Sequence, residues 1–230
     1  MTSTSRDPSP RDWLLPAGYL AVAALYVRAI FFTPIEALQG AAQKILYVHA
    51  TSAFVALYLA FGLMAVCSIL YLALKDEKLD RLAESSAEVG LAFTTVVLVT
   101  GPIWAKPIWG TWWTWDARLT ATLFLWFIIV GYLLLRGAVE ERALRARYSA
   151  VLGILAALLV PFIHLSVYMF RTMHPMPIVL QPGAPRMSVE MRWTFFPGFL
   201  ALTLLFAGLL RARYRYATLR DQLEDQEAAR

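Results

Sequence analysis

Cysteine and charge are what this 230-residue sequence has least of, and each scarcity excludes a class of protein. The single cysteine, Cys67, excludes an intramolecular disulfide, a CxxC redox pair and a c-type haem attachment motif. Three histidines without a cysteine cluster leave no zinc-site spacing. Charged residues make up 16% of the chain and hydrophobic residues 59%, whereas soluble domains are about one quarter charged. The composition therefore excludes a disordered protein and indicates a membrane protein.

What the sequence has instead is long stretches without Asp, Glu, Lys or Arg. A bilayer core about 30 Å thick requires roughly 20 apolar helical residues, with about 17 as a lower limit. Backbone polar groups have no partner in lipid, so each span must be helical. The sequence therefore predicts an all-α integral membrane protein, one domain over 1–230, with six transmembrane helices. We expect these spans at residues 14–33, 45–74, 89–105, 119–135, 148–170 and 193–210.

The placement of Lys and Arg between these spans predicts the orientation. The N-terminus, the connections 75–88 and 136–147 and the charged tail 211–230 together hold 14 basic residues. The opposite connections hold 6, one of them Arg186. We therefore expect both termini in the cytoplasm, with the cytoplasmic charges on solvated helix extensions, and the functional loops in the periplasm. Topology then explains the net charge of +5, so nucleic-acid binding has no support.

Tryptophan is concentrated in one predicted periplasmic loop, residues 104–118, which also contains proline and glycine. Two interpretations are open. An aromatic belt at the lipid interface would place tryptophans at many helix ends, whereas a ligand platform would concentrate flat indole faces in one place. Five of the eight tryptophans of the chain lie within this loop, namely Trp104, Trp109, Trp112, Trp113 and Trp115.

The topology places all three histidines in the periplasmic half of the membrane or just beyond it. His49 lies one turn below the end of the second span, His164 lies roughly 9 Å below the end of the fifth, and His174 follows in the next loop. A histidine at such a position is either a hydrogen-bonded packing residue or a ligand. His49 and His174 make the better ligand pair. His164 follows Pro161, which bends the helix, and either satisfies polar groups at that bend or serves as a further ligand.

Charged residues near the tryptophans suit an acidic ligand. Asp116 is expected to cap the next helix through free backbone N–H groups, which leaves Arg118 to point outward at a carboxylate. Lys44 either meets a second carboxylate or extends to the interface as an ordinary lysine. These parts describe a site for a large, flat, apolar molecule with an acidic edge, and haem fits that description. No GxxxxGK[ST] phosphate loop occurs, so the chain does not hydrolyse ATP itself.

The run WGTWWTWDARLT at 109–120 resembles the tryptophan-rich WWD signature of haem-handling proteins. With ILYVH at 45–49, TGPIWAKP at 100–107 and PFIHLSV at 161–167, nearly the whole chain is similar to the CcmC family of bacterial cytochrome c maturation. The resemblance implies that His49 and His174 are the axial ligands of a transiently bound b-type haem. The further residues expected to contact haem are Trp109, Trp112, Trp113, Trp115, Asp116, Arg118 and Lys44, with His164 in second place.

The resemblance also implies a role in the inner membrane. The family delivers haem to the periplasmic chaperone CcmE and works in a membrane complex with the CcmA ATPase, CcmB and CcmD, so we expect a haem-delivery protein rather than an enzyme. One stretch departs from the family pattern. Where the family often has WWNTLHQ, this chain has MFRTMHP at 169–175, which retains the histidine and implies a differently shaped third outer loop.

Three other classes of protein remain alternatives. A cytochrome c synthase component of the CcsA type shares the tryptophan signature, but generally has more spans and histidines and attaches haem to CxxCH directly. A b-type membrane electron carrier would normally pair its histidines across facing helices. A secondary transporter would show ionisable residues in mid-span or an internal repeat, and neither is evident in the sequence.

Overall fold

The computed structural model describes residues 13–177 and 187–230, and every regular element in these ranges is a helix. The all-α fold with six spans is therefore confirmed. The helical segments long and apolar enough to cross a membrane are Leu14–Phe31, Ala41–Leu74, Glu77–Trp109, Ala117–Ala138, Arg142–Met169 and Val189–Ala228. Arg186 and the basic residues of segment 1–12, which entered the orientation prediction, lie outside the described residues.

Two of the six spans are interrupted within the membrane. The helices are α1 (Leu14–Phe31), α2 (Leu46–Phe54), α3 (Phe61–Leu74), α4 (Glu77–Trp109), α5 (Ala117–Ala138), α6 (Arg142–Ala157), α7 (Leu159–Met169) and α8 (Val189–Ala228). The second span starts with the 3-10 turn Ala41–Ile45 and joins α2 to α3 through the π-helical stretch Val55–Ala60. The fifth span divides into α6 and α7 at Leu158, because Pro161 has no N–H to donate to the last carbonyl of α6.

The tryptophan-rich loop is shorter than the predicted 104–118, because α4 continues through Pro107 to Trp109. Membrane helices tolerate proline where neighbouring helices pack on the freed backbone groups. α4 ends at Gly110, whose φ of 77° lies in the left-handed region that favours glycine. Only residues 110–116 form a connecting loop, and we call the end of the bundle that carries it the tryptophan end.

The helices pack tightly along most of the bundle and separate at the tryptophan end. α1 lies along α8, where a Cβ added at Gly18 or Gly208 would lie 2.7 Å from a backbone Cα atom of the facing helix. Small residues at such contacts let two membrane helices approach closely. α3 packs against α4 and α6, α7 packs against α5, and α2 packs against α4 and α8. The space between α7 and the α2–α8 pair is the cavity described below.

The charged segments at the opposite end are partly buried, which corrects the expectation of solvated helix extensions. Arg136, at the end of α5, donates to both carboxylate oxygens of Asp80 at 2.7 and 2.8 Å and to Glu84 at 3.0 Å. Arg220, on the long extension of α8, donates two more bonds to Glu84 at 2.8 and 3.0 Å. Asp80 and Glu84 are four residues apart, so they share one face of α4. The predicted charged tail is thus a helix that forms ion pairs with α4, and Glu84 of α4 also binds Arg136 of α5.

Replacing Arg136 by methionine is expected to destabilise the protein, because Asp80 and Glu84 stay buried with one cation fewer. Removing one partner of a buried ion pair costs about 3–5 kcal/mol in soluble proteins. We expect a clearly lower melting temperature for the detergent-solubilised protein. Arg147→Met, at an exposed position of α6, is the matched control and should leave the melting temperature nearly unchanged. Equal melting temperatures for the two variants would contradict a structural role for the network.

Candidate functional site

A cavity of about 860 Å³ lies at the tryptophan end, enclosed by α2, α4, α5, α7 and α8. This volume is near the top of the range of about 300–1,000 Å³ of small-molecule sites, so the cavity suits a large ligand. Apolar side chains form most of its wall. All three histidines of the chain meet around it. The chemically distinctive residues of the wall are His49, His164, His174, Arg118, Tyr58 and Gln43.

The His49 ring, in the first turn of α2, is fixed by α4. Its Nδ1 atom lies 3.0 Å from the hydroxyl of Thr100, and that hydroxyl donates its only proton to the carbonyl of Val96 at 2.7 Å. Nδ1 must therefore carry the proton that joins it to Thr100, which leaves a lone pair on Nε2. The ring packs edge-on against Trp104, and a Cβ at Gly101 would lie only 3.2 Å from its Cε1 atom.

His174 lies in the segment after α7 that has no regular structure, and its hydrogen bonds are local. Nδ1 lies 2.9 Å from the carbonyl of Pro175, which can only accept, so Nδ1 carries the proton and Nε2 keeps its lone pair. The backbone N–H of His174 donates to the hydroxyl of Thr172 at 3.0 Å. Burial, together with the charge of Arg118, lowers the pKa of His174 to about 3. The imidazole is therefore neutral at physiological pH and available as a ligand.

His164 faces the same cavity from α7. Its Nδ1 atom lies 2.6 Å from the hydroxyl of Tyr58, which belongs to the π-helical stretch of the second span. The partner is thus a side chain from another span and not the backbone at the Pro161 bend, one of the two roles considered from the sequence. The ring also lies against Tyr168, one turn further along α7, with 6.4 Å between the centroids.

Arg118 supplies a cation to the wall of the cavity rather than to the outer surface where the sequence placed it. It lies in the first turn of α5, and its guanidinium interacts electrostatically with His49, His164 and His174. Its Nη1 atom is buried and forms no hydrogen bond within the described ranges 13–177 and 187–230. A buried donor without a partner is costly, so this guanidinium edge is suited to receive an acidic group of a ligand.

Three residues expected to contact the ligand lie away from the cavity wall. Asp116 accepts hydrogen bonds at 3.0 and 3.1 Å from backbone N–H groups of the first turn of α5, so its predicted capping role is confirmed. Trp115 is 76% exposed and packs edge-on against Trp113. Lys44 donates to the carbonyl of Ile30. The indoles that line the cavity are Trp104, Trp109, Trp112 and Trp113.

Two polar residues of the wall, Tyr58 and Gln43, were not found from the sequence. Tyr58 is nine residues after His49, which would put the two side chains on opposite faces of a straight α-helix at about 100° per residue. The π-helical stretch Val55–Ala60 shifts this phase and brings both to the cavity. Gln43 is buried, and neither atom of its amide has a hydrogen bond within the described part of the chain. Its position beside charged Lys44 gave no signal of burial.

The arrangement suits a large planar ligand that brings its own metal. No group of three or more His, Cys, Asp or Glu side chains that could hold a bare metal ion occurs among the residues that the structure describes. Two neutral imidazoles with free Nε2 atoms can instead complete the coordination of a metal that already has equatorial ligands. Indole faces suit the planar body of such a molecule, and the unpaired edge of Arg118 suits a carboxylate.

Comparison with known proteins gives one consistent family. A family model described as "Heme exporter protein C", CcmC, matches residues 7–229. The protein of that name from Bradyrhizobium diazoefficiens is 34% identical over 212 residues, which cover 92% of this chain and 80% of the relative. The corresponding values for the Escherichia coli K12 protein are 34%, 202 residues, 87% and 81%. Those for the Haemophilus influenzae protein are 33%, 195 residues, 85% and 79%.

The imidazole tautomers provide a direct test of this geometry. In protein with ¹⁵N-labelled histidine, we expect His49 and His174 to be neutral with the proton on Nδ1. Thr100→Val removes the acceptor of the His49 Nδ1–H group while preserving the shape of the side chain, so it should shift the ¹⁵N resonances of His49. The ¹⁵N resonances of His174, whose Nδ1–H donates to the carbonyl of Pro175 in the same loop, are the internal control. A proton on Nε2 of both rings in the unchanged protein would contradict the assignment.

Proposed function

Because the chain belongs to the heme exporter protein C family, CcmC, we propose that it binds haem as cargo in this cavity and delivers it to the periplasmic chaperone CcmE. Family membership and the six spans make the chain a multi-pass inner-membrane protein that handles haem in cytochrome c maturation. The proposal adds the site, its ligands and the recipient. The proposal rests on one observation. Among the described residues, two imidazoles with a hydrogen bond at Nδ1 and none at Nε2 share a cavity with indoles and with the unpaired Nη1 atom of Arg118.

His49 and His174 are the axial ligands in this proposal. The four porphyrin nitrogens fill the equatorial positions of haem iron, which leaves two positions for imidazole nitrogens. The bond from Nδ1 of each ring to an oxygen fixes the ring orientation and raises the basicity of Nε2, as such outer bonds do at other metal sites. The donor set of this cavity therefore fits a transiently bound b-type haem better than it fits a free metal ion.

Arg118 binds a haem propionate in this proposal, and Trp104, Trp109, Trp112 and Trp113 contact the porphyrin body. Its buried Nη1 atom has no hydrogen bond in the part of the chain that the structure describes, so a carboxylate would satisfy a donor that is otherwise left open. We do not include Lys44 among the proposed propionate contacts, because it lies outside the cavity wall and donates to the carbonyl of Ile30. Asp116 contributes indirectly, by capping the helix that carries Arg118.

The orientation and partners follow from the same proposal. The excess of Lys and Arg in segments at the end opposite the tryptophans supports cytoplasmic termini and a periplasmic cavity. A cavity at the periplasmic face would be accessible to a soluble chaperone. Since this chain has no phosphate-binding loop of its own, release of the loaded chaperone would depend on the CcmA ATPase, together with CcmB and CcmD.

A synthase component of the CcsA type is the second candidate, because it shares the tryptophan signature. Purified haem-loaded protein should transfer haem to CcmE and not to a reduced apocytochrome c that carries CxxCH. Transfer of haem to apocytochrome c and not to CcmE would favour the synthase. A b-type electron carrier is less consistent with the site, because His174 lies outside the helices.

Substitution of the proposed ligands should change both the spectrum and the haem content. Purified wild-type protein is expected to carry b-type haem with a bis-histidine spectrum. His49→Ala should shift the Soret band, and His49→Ala and His174→Ala should each lower the haem content per protein. Trp115→Phe, at an exposed position outside the cavity, is the control and should leave both unchanged. Wild-type bands and haem content in both histidine variants would refute the ligand assignment.

Arg118→Gln should weaken haem binding without changing the axial ligands. Losing a hydrogen bond to a charged group costs about 1.5–3 kcal/mol, which corresponds to about ten- to a hundredfold in affinity. We expect haem to dissociate correspondingly faster while the bis-histidine spectrum is retained. Lys106→Gln is the matched control, because Lys106 lies at the same end but outside the cavity wall. An unchanged dissociation rate for Arg118→Gln would exclude the propionate contact.

A further inference from the structure

The third histidine of the cavity has no role in the proposed ligand pair, although it also has a hydrogen-bond partner at Nδ1. The Nδ1 atom of His164 lies 2.6 Å from the hydroxyl of Tyr58, which can donate or accept, whereas the partners of His49 and His174 accept. No hydrogen bond to the Nε2 atom of His164 occurs among the residues that the structure describes. All three rings face one cavity and interact with the charge of Arg118. A packing histidine requires none of these features.

The cavity also extends further into the bundle than the loop that carries His174. His164 lies five residues before the end of α7, about 7–8 Å along the helix axis at 1.5 Å per residue. The wall of the same cavity also includes Leu57, Thr94 and Thr122, from three different spans. Open volume therefore continues from the tryptophan end down to the level of His164.

We propose that His164 is an alternative axial ligand, so that haem binds first in an inner position through His49 and His164 and then in an outer position through His49 and His174. This inference rests on the proposed function. In the exchange, the bond from iron to Nε2 of His164 breaks and a bond from iron to Nε2 of His174 forms. No electron is transferred in this exchange, and the iron keeps its oxidation state.

The segments that carry His164 and His174 suit this order of binding. His164 is part of α7, which packs along α5, so it offers a ligand at a fixed depth. His174 lies in an irregular segment whose bonds to Thr172 and Pro175 are all internal to that segment. A loop can move as a unit at a lower cost than a helix packed in the bundle. Exchange from the helical ligand to the loop ligand would move haem outward, toward the side from which a chaperone takes it.

Tyr58 is a positioning residue for the inner ligand. When Nε2 of His164 binds iron, its Nδ1 must carry the proton and donate it to the hydroxyl oxygen of Tyr58, at the observed distance of 2.6 Å. The π-helical stretch places Tyr58 at this point in the cavity wall. Stretches of this kind inside α-helices are frequent at functional sites.

The test uses the iron spin state and coordination number of the purified full-length protein loaded with hemin, measured by electron paramagnetic resonance and resonance Raman spectroscopy. The inference expects that the haem retained by His174→Ala is still six-coordinate and low-spin, because His164 takes the vacant position. The double variant His174→Ala/His164→Ala should become high-spin. The double variant His174→Ala/Tyr168→Phe is the matched control, because Tyr168 lies beside His164 without a hydrogen bond to it, and it should remain low-spin.

Three results would overturn the inference. One is high-spin iron in His174→Ala alone, and another is low-spin iron that persists in the double variant without His164. The third is the loss of all haem from folded His174→Ala. A wild-type protein without a bis-histidine signal would instead refute the proposed function itself, so the two failures are distinguishable.

A kinetic measurement supports the test without altering His174. Hemin binding to His164→Ala, followed by stopped-flow absorption, should reach the final bis-histidine spectrum more slowly than binding to wild-type protein. Tyr58→Phe should slow it in the same direction, because the positioning bond is lost. Equal rates in all three proteins would count against an inner position.

Discussion

The site depends on one constraint, which is that polar atoms inside an apolar bundle must find partners within the protein. An unsatisfied polar group in hydrocarbon costs several kcal/mol. Two histidines of the cavity wall satisfy this rule, His49 through Thr100 and His164 through Tyr58. Other buried atoms of the wall have no hydrogen bond among the described residues, namely Nη1 of Arg118, the amide of Gln43 and Nε1 of Trp113. A ligand with polar edges would complete these groups.

The two ends of the bundle have different physical roles. At one end, the ion pairs of Arg136 and Arg220 with carboxylates of α4 hold three spans together. At the other end, the break at Leu158 lets α7 follow α5 while α2 stays with α8. A bundle that is fixed at one end can open at the other without losing its overall packing. The charge network therefore holds one end of the bundle together, while the cavity lies at the other end and shares no residue with the network.

The six spans and the placement of all three histidines at one end of the bundle were predictable, because hydropathy and the positions of histidine are visible in the sequence. The remaining features depend on contacts between residues that lie far apart in the sequence. The burial of Arg136 requires Asp80 and Glu84 to come from another span, which no local pattern reveals. The contribution of Tyr58 requires a π-helical phase shift that straight helical periodicity excludes. The predicted loop was too long because the span was ended before the charged residue Lys106, whereas α4 continues through Lys106 and Pro107 to Trp109.

The proposed function requires a carrier that binds its cargo firmly and still releases it, and the surroundings of His174 are consistent with both requirements. The tautomer of His49 is fixed by α4, so it persists only while that helix stays in place. The tautomer of His174 is fixed by the neighbouring Pro175, and its backbone is held by Thr172. When this segment moves, both bonds move with it, and Nε2 keeps its lone pair. If His174 binds the metal as proposed, it can leave and return without a proton exchange, and the proposed function then places haem release at the segment after α7.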